Sequence, residues 1–451
     1  MADFAALFDE ALGAHPARPF LHDGPDRAGI HALALRLRDA LAARAAGDEP
    51  VCLVTEDRAV TAAAILASLG GGPPLIVPHA STPAVLDEVR RAVPFATLLT
   101  DLPRDPPPGC EVVVAGKPEP AKGVRIRVVR RPDEPFVYLY TGGSTGKPRA
   151  WSKTPANLLG EALLLARRFA ITPDDRLLAT VPPCHIYGLL FSTLVPLVSG
   201  ASVVGETVFF PAAVAETAAS AHCSVLVSVP AHLRALARTS WGAARLRLAF
   251  SSTAPLDERD AEGFTQATGA GVHEVYGSTE TGGVAIRCRA AGETSWSLLD
   301  GVRWKIVDGR LCVASPFLSP DLPRDAEGLF RTADRATKAG DGFELAGRAD
   351  GIVKVGGKRV DLGEVEERLQ ALPGVREAWV WSRAAERGRG REIVALIVGD
   401  ATEDEVLALL RDVLPAPAMP RRIRRVERLP LTATGKRDLA AAVQLFDRID
   451  R

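Results

Sequence analysis

Tyr138-Leu139-Tyr140-Thr141-Gly142-Gly143-Ser144-Thr145-Gly146-Lys147-Pro148-Arg149 carries an apolar strand into a loop of glycines and hydroxyls that ends in a lysine. Backbone N–H groups and hydroxyls in such a loop surround a phosphate chain without interference from Cβ atoms, and Lys147 adds a mobile positive charge. The segment departs from the Walker A pattern, because Thr141 stands where its first Gly would be and Pro148 replaces the Ser or Thr after the lysine. A kinase or GTPase-type NTPase is therefore disfavoured. Taken alone, the loop fits a flexible surface hairpin as well.

Upstream of it, a helix is expected over 31–45, an apolar strand over 51–55, a helix from Ala59 and a strand over 74–77. That alternation argues for α/β layers around a mostly parallel sheet. Residues 102–120, rich in Pro, Gly and charge, read as a surface connection before a strand at 136–140. Downstream the alternation repeats, with helices over 157–169, 189–197 and 231–238 and strands over 224–229 and 246–251. After Gly283, short runs separated by Gly and Asp suggest a small β-rich section that ends at Gly347-Arg348-Ala349-Asp350-Gly351. A helix over 362–371, strands near 375–382 and 392–398, and a helix over 403–414 complete a compact α+β unit of about 100 residues.

The whole chain, 451 residues, exceeds one ordinary domain. Its 47% hydrophobic and 24% charged residues are those of a soluble globular protein with a large core. Lys plus Arg equals Asp plus Glu at 55 each, so no net field selects nucleic acid or an anionic membrane. The run Arg421, Arg422, Arg424, Arg425 reads as a solvated strand face. Six scattered cysteines, with neither a C-x-x-C pair nor zinc spacing, read as buried or free thiols of a reducing compartment. The first ten residues are acidic where a signal peptide is basic, and the apolar stretch 181–200 holds three prolines and His185, which suits a buried turn and helix rather than a membrane span. A cytoplasmic protein without a membrane span or a nucleic-acid partner is expected.

Three further segments carry chemistry. Tyr276-Gly277-Ser278-Thr279-Glu280-Thr281 follows the loop Ser251-Ser252-Thr253-Ala254-Pro255. Glu280 suits the Mg²⁺ that accompanies ATP and Tyr276 offers a face to a base, although a common Tyr-Gly turn with a surface acid has the same pattern. In Phe330-Arg331-Thr332-Ala333-Asp334 and Gly347-Arg348-Ala349-Asp350, an Asp after an apolar run can accept both ribose hydroxyls and an Arg can reinforce a sugar or phosphate contact. An ordinary Asp–Arg salt bridge fits equally. Near the end, Leu429-Pro430-Leu431-Thr432-Ala433-Thr434-Gly435-Lys436 offers one cation on a polar loop, able to neutralise charge developing between an attacking carboxylate and an α-phosphate. A solvated lysine near a terminus has the same pattern.

Taken in this order over about residues 136–440, the four segments resemble the signature motifs of the ANL superfamily of adenylate-forming enzymes, which holds acyl-CoA synthetases, adenylation domains of nonribosomal peptide synthetases and luciferases. The resemblance implies that the loop from Thr141 to Lys147 holds the β- and γ-phosphates, with Ser252, Thr253, Tyr276, Gly277 and Ser278 completing the nucleotide site. It implies that Thr279 and Glu280 contact phosphate and Mg²⁺, that Asp334 binds the ribose, that Arg348 lies near ribose and phosphate, that Asp350 is a hinge, and that Lys436 serves adenylation. Pro183-Cys184-His185-Ile186-Tyr187-Gly188 looks like the family's acyl-pocket motif, with His185 as a pocket wall; a histidine packed at a helix start is the alternative. Three positions depart from the pattern: Gly142 stands for the usual Ser, Arg149-Ala150 for Lys-Gly, and Ala333 for the Gly before the ribose aspartate. The hydroxyl missing at Gly142 costs at most one phosphate hydrogen bond, about 1.5–3 kcal/mol.

The fold implied is α/β: a large N-terminal domain, 1–349, of stacked α/β subdomains plus a small β-section, and a small mobile α+β C-terminal domain, 350–451. The activity implied is attack of a carboxylic acid, aryl or medium acyl, on ATP to give an acyl-adenylate and pyrophosphate, then transfer to the thiol of CoA or of a separate carrier protein's phosphopantetheine. Because the sequence ends at Arg451 with no carrier domain, a free-standing ligase with CoA slightly ahead is expected. About 135 residues precede the loop, fewer than the family usually has, so entrance or dimer surfaces are expected to be trimmed. A non-catalytic sensor of the same fold would lose Lys436 or Glu280, and both are present. An amino-acid adenylating enzyme is disfavoured by the lack of an Asp over 229–232, and a Rossmann oxidoreductase by the lack of G-x-G-x-x-G after a strand.

Overall fold

The computed structural model describes residues 2–44, 48–141, 149–348, 351–385, 390–411, 413–430 and 439–448. Of the expected site, Gly142, Gly143, Ser144, Thr145, Gly146, Lys147, Asp350 and Lys436 lie outside the described residues. The chain falls into two compact units. The first takes the described residues up to Thr332 and then 336–345, and the second takes 333–335 and the described residues from 346 onward.

In the first unit the α/β alternation builds two sheets. One has six strands in the order Glu111–Val114, Thr97–Thr100, Val51–Val54, Leu75–Val77, Val137–Thr141, Arg149–Lys153, all parallel except the last. Val51–Val54 and Leu75–Val77 are buried at every residue, as continuous apolar runs must be when both faces of a parallel sheet are covered. The helix Arg58–Leu69 is buried at every position, and Asp57 starts it by accepting from the Ala59 and Val60 N–H groups.

The other sheet has seven strands in the order Ser297–Leu298, Gly282–Cys288, Gly271–Ser278, Leu248–Ser251, Val225–Ser228, Arg176–Ala179, Ser202–Val203. Its last five strands are parallel, Gly282–Cys288 is antiparallel to them, and Ser297–Leu298 pairs antiparallel with Gly282–Cys288. A single apolar core runs through both sheets and includes Phe136, Leu158, Phe191 and Phe250. A capping box at Thr154 and Asn157, with Pro155 in the first turn, begins the helix Pro155–Arg168.

A four-stranded sheet, Arg303–Val307, Arg310–Ala314, Phe330–Ala339 and Gly342–Arg348, leads into the second unit. That unit has its own core, in which the helix Leu362–Gln370 buries Val365 and Leu369 with Ala378, Val380, Ile393 and Ala395 of the strands Val375–Ala384 and Arg391–Gly399. The strand Arg422–Arg425 completes this three-stranded sheet, and Arg424 pairs with Glu403 at 2.9 Å. The architecture is thus the mixed α/β arrangement expected, with a large N-terminal and a small C-terminal part.

Four expectations need correction. The stretch 102–120 is not only a connection, because Glu111–Val114 joins the first sheet as its edge strand; three consecutive valines supply β-branched packing that the surrounding prolines and glycines disguise. The strand Gly282–Cys288 belongs to the seven-stranded sheet, so the small β-section starts later than Gly283. The apolar helix begins at Ile186 and carries a π turn over Leu190–Leu194 before ending at Ser199. The helix expected over 403–414 stops at Leu410, where Pro415 follows closely.

Candidate active site

The register of the seven-stranded sheet places several sequence-chosen residues on one edge. Ala179 is level with Val227, Ser228 with Ser251, and Ser251 with Glu274. Thr180 is therefore level with Ser228, Ser251 and Glu274, and the residues that follow these, Val181, Val229, Ser252 and Val275, form a row toward the carboxyl ends of four parallel strands, the side on which open α/β sheets bind their ligands.

Hydrogen bonds tie the loops of this edge together. Ser252 Oγ donates to the Val275 carbonyl at 2.8 Å, joining two neighbouring strand ends. Thr253 follows with φ 75°, a left-handed conformation that costs a β-branched residue about 1–2 kcal/mol and marks a loop held by its surroundings. Thr180 and Ser228 share a hydroxyl hydrogen bond at 2.9 Å, and Tyr187 Oη donates to the Ser228 carbonyl at 3.0 Å. Gly188 in the same motif has no room for a side chain, since a Cβ there would sit 1.9 Å from the Pro182 carbonyl oxygen. His185 precedes the first turn of the helix at Ile186 and is exposed, so it is a histidine at a helix start that solvent reaches.

On the next strand the pairing register shifts between Tyr276 and Gly277. Such irregularities re-aim side chains next to active sites. Gly277 is required here, because a Cβ would lie 2.2 Å from the Gly282 carbonyl oxygen. Ser278 and Thr281 then close a tight turn: the Ser278 N–H donates to Thr281 Oγ1 at 3.0 Å, and the Thr281 N–H to Ser278 Oγ at 3.2 Å. Thr279 and Glu280 form the tip between them and are half-buried. The Tyr276 ring packs against Trp296 and Phe343, with centroids at 5.5 and 5.8 Å.

Thr141 ends its strand in the six-stranded sheet and donates through Oγ1 to the Arg149 carbonyl at 3.3 Å. Four residues along the paired strand, level with Val137, stands Lys153, which the motif reading passed over. It is fully buried and donates to the carbonyls of Phe317 at 3.0 Å and Glu280 at 3.4 Å. The strand that leaves the phosphate-loop segment is thereby joined to the Glu280 turn. No general signal marks such a lysine in a sequence, where a polar residue at the end of a strand reads as exposed.

Burial pushes the Lys153 ammonium below its ordinary value, while Glu161, Glu280 and Asp321 pull it back. Burial likewise pushes the Glu161 carboxyl up, against Lys153 and the Gly283 N–H. His232, in the first turn of the helix Pro230–Leu236 on the same edge, was also passed over; burial lowers its pKa and favours the neutral imidazole.

In the second unit Arg348 pairs with Asp334 at 3.3 Å, so these two sequence candidates do meet, in the salt bridge that was the plainer alternative. Lys354 on the strand Ile352–Val355 has its ammonium pushed down to about 8 by burial and by the positive charges of Arg359 and Arg348, with Asp334 opposing.

A family model described as AMP-binding enzyme matches residues 38–318, and one described as AMP-binding enzyme C-terminal domain matches residues 364–436. The chain belongs to this family of AMP-binding enzymes, within the ANL superfamily of adenylate-forming proteins. It is 32% identical over 295 residues to the sulfoacetate–CoA ligase of Cupriavidus necator, covering 59% of this chain and 58% of that one. It is 32% identical over 305 residues to the 4-coumarate–CoA ligase of Rhodobacter capsulatus, covering 66% and 73%. Its fold is that of ATP-bound MatB from Rhodopseudomonas palustris, with a TM-score of 0.68 at 24% identity over 99% of both chains. The chain thus spans 58% of the first relative's length and 73% of the second's.

Proposed function

We propose that the protein activates a carboxylic acid with ATP as an acyl-adenylate, releasing pyrophosphate, and transfers the acyl group to a thiol, with CoA ahead of a carrier-protein phosphopantetheine. The observation that supports this reading is the carboxyl side of the parallel strands, where Ser252 is bonded to Val275 next to Tyr276–Glu280 and where Tyr187 of the His185 motif is bonded to the Ser228 carbonyl. Nucleotide and acid would lie side by side there, which is what in-line attack on an α-phosphate needs.

In this reading Thr141 and the 142–147 loop hold the β- and γ-phosphates. Ser252, Thr253, Tyr276, Gly277 and Ser278 seat the adenosine, and Thr279 meets phosphate. Asp334 and Arg348 act on the ribose and neighbouring phosphate, Lys436 neutralises the developing charge, and Asp350 is the hinge between domains 1–349 and 350–451. Glu280 offers one carboxylate at the tip of its turn, and among the described residues no cluster of three His, Cys, Asp or Glu is arranged to hold a metal. That fits Mg²⁺, which commonly binds through one or two carboxylates plus substrate phosphates and not in an all-protein cage. Bound there with Glu280 as its protein ligand, it would supply charge neutralisation on the phosphates.

His185 and Tyr187 mark the acid side of the edge. The segment 229–232 holds no Asp to meet an α-ammonium group, which supports an aryl or medium acyl acid over an amino acid. The kinship to ligases named for sulfoacetate and 4-coumarate supports CoA as acceptor. None of the six cysteines is in a disulfide, which suits a reducing compartment such as the cytoplasm, and among the described residues no helix is long and apolar enough to cross a membrane.

The test is acid-dependent exchange of labelled pyrophosphate into ATP over aryl, fatty and amino acids. One acid class is expected to support exchange, and Glu280→Ala and Lys436→Ala to lower it on the order of a hundredfold or more. A chain that exchanges with no acid, or variants that match the wild type, would overturn the reading.

A further inference from the structure

Beyond the motif residues, Lys153 and Glu161 are two fully buried side chains of opposite charge type, and each hydrogen-bonds the backbone of the segment that carries Glu280. Fully buried charges are rare unless something is gained from them, since desolvation costs several kcal/mol per ion. An apolar residue would cost less at either position if only packing mattered.

What each group does is specific. Lys153 comes from the strand paired with Val137–Thr141 and donates hydrogen bonds to the carbonyls of Glu280 and Phe317. The Glu280 carbonyl receives a second donor, the Ser319 N–H at 2.8 Å. Glu161 comes from the helix Pro155–Arg168, and its Oε1 accepts from the Gly283 N–H at 2.7 Å. Its carboxylate fills the space in which side chains at 282 and 283 would stand: a Cβ on either glycine would lie 2.7 Å from one of its oxygens. The turn is therefore held at its middle residue by the lysine, and the glycine pair just after it is held by the glutamate.

We propose that Lys153 and Glu161 are positioning residues that set the Thr279–Glu280 tip relative to the phosphate-loop strand, so that both reach one Mg·ATP. The proposal rests on the adenylation reading. Neither side chain touches nucleotide in it. Lys153 fixes the carbonyl of the very residue whose carboxylate is assigned to the metal, and Glu161 fixes the glycine pair that turns the chain back. Because Lys153 lies on the strand continuous with the phosphate-loop segment, a shift of one element is passed to the other.

The test compares the wild type with Lys153→Met/Glu161→Gln, which replaces the two charges by groups of similar volume and keeps an acceptor for Gly283. Replacement of buried charge pairs in this way usually preserves stability. Mg·ATP binding is measured by titration calorimetry without acid, alongside the Michaelis constants for ATP and for the acid in pyrophosphate exchange, with circular dichroism to establish the fold. The expected result is a folded variant whose Mg·ATP dissociation constant and ATP Michaelis constant rise about tenfold while the acid Michaelis constant stays put.

A folded variant that binds Mg·ATP as the wild type does would overturn the positioning role, as would an equal rise in the acid constant. If the double variant does not fold, Lys153→Gln/Glu161→Gln, which restores an amide donor, is read by the same criteria. A wild type that binds Mg·ATP but exchanges with no acid overturns the adenylation reading alone, because the binding comparison still decides the positioning role. A wild type that binds no Mg·ATP overturns both.

Discussion

At Gly282 the chain turns back from the Glu280 tip with φ 66°, a left-handed conformation, and a Cβ there would also meet Phe317 Cβ at 2.6 Å. Alanine is expected to cost about 2–4 kcal/mol, combining the backbone penalty with overpacking against a buried carboxylate. Urea denaturation checks the stability, and the same sample should show weakened Mg·ATP binding, because relief of the clash must move the tip. At this scale the sequence was legible wherever a residue type had a direct chemical use. Glu280 and Tyr276 could be chosen from their place in a turn after an apolar strand. Lys153 and Glu161 could not, because their meaning depends on contacts with residues more than a hundred positions away. Asp334 and Arg348, expected at the ribose and a neighbouring phosphate, meet each other in a salt bridge.

Among the elements, the amino ends of the central parallel strands are fastened by a single carboxylate. Asp175, just before Arg176–Ala179, accepts from Ser224 Oγ at 2.7 Å and from Arg247 Nε and Nη2 at 2.8 Å each, the residues just before Val225–Ser228 and Leu248–Ser251. Burial alone would raise the Asp175 carboxyl, but the hydrogen bonds from Arg247, the Thr172 N–H and Ser224 outweigh it and leave the group below its ordinary value. Asp175→Asn is expected to cost about 2 kcal/mol, toward the low end for a broken pair because Arg247 is 40% exposed. The sign of the pH effect follows from the lowered pKa. The contribution is present above the unfolded-state value near 4 and is lost as pH falls through the folded-state value, so below about pH 4 the variant should lose stability with a shallower slope than the wild type. Denaturation series from pH 7 to pH 2 measure it. The strands of this sheet were legible because buried parallel strands are plain apolar runs, whereas Glu111–Val114, three valines among prolines, was hidden by composition. The π turn at Leu190–Leu194 was equally hidden, since it leaves no residue signature in an apolar stretch.

For the molecule as a whole, the two units keep separate apolar cores, the largest cluster of the first running through Phe136 and Phe250 and that of the second through Val365 and Ile393. The ordered motifs made the family legible, because four weak patterns in a fixed succession constrain far more than any one. The acid and the acceptor were not, since they depend on a pocket drawn from several loops. If the two half-reactions require a domain swing at Asp350, Asp350→Pro should leave pyrophosphate exchange within about threefold and slow thioester formation on the order of a hundredfold, measured by single-turnover transfer from preformed adenylate to CoA. The seven-stranded sheet also divides its duties along the strand axis, with the Asp175 clamp at one end and the hydroxyl-bonded loops of Thr180, Ser228 and Ser252 at the other. An engineer can exploit that polarity: libraries confined to the loop end can redraw substrate preference while the opposite end, left untouched, serves as a reserve of thermal robustness on which such changes can draw.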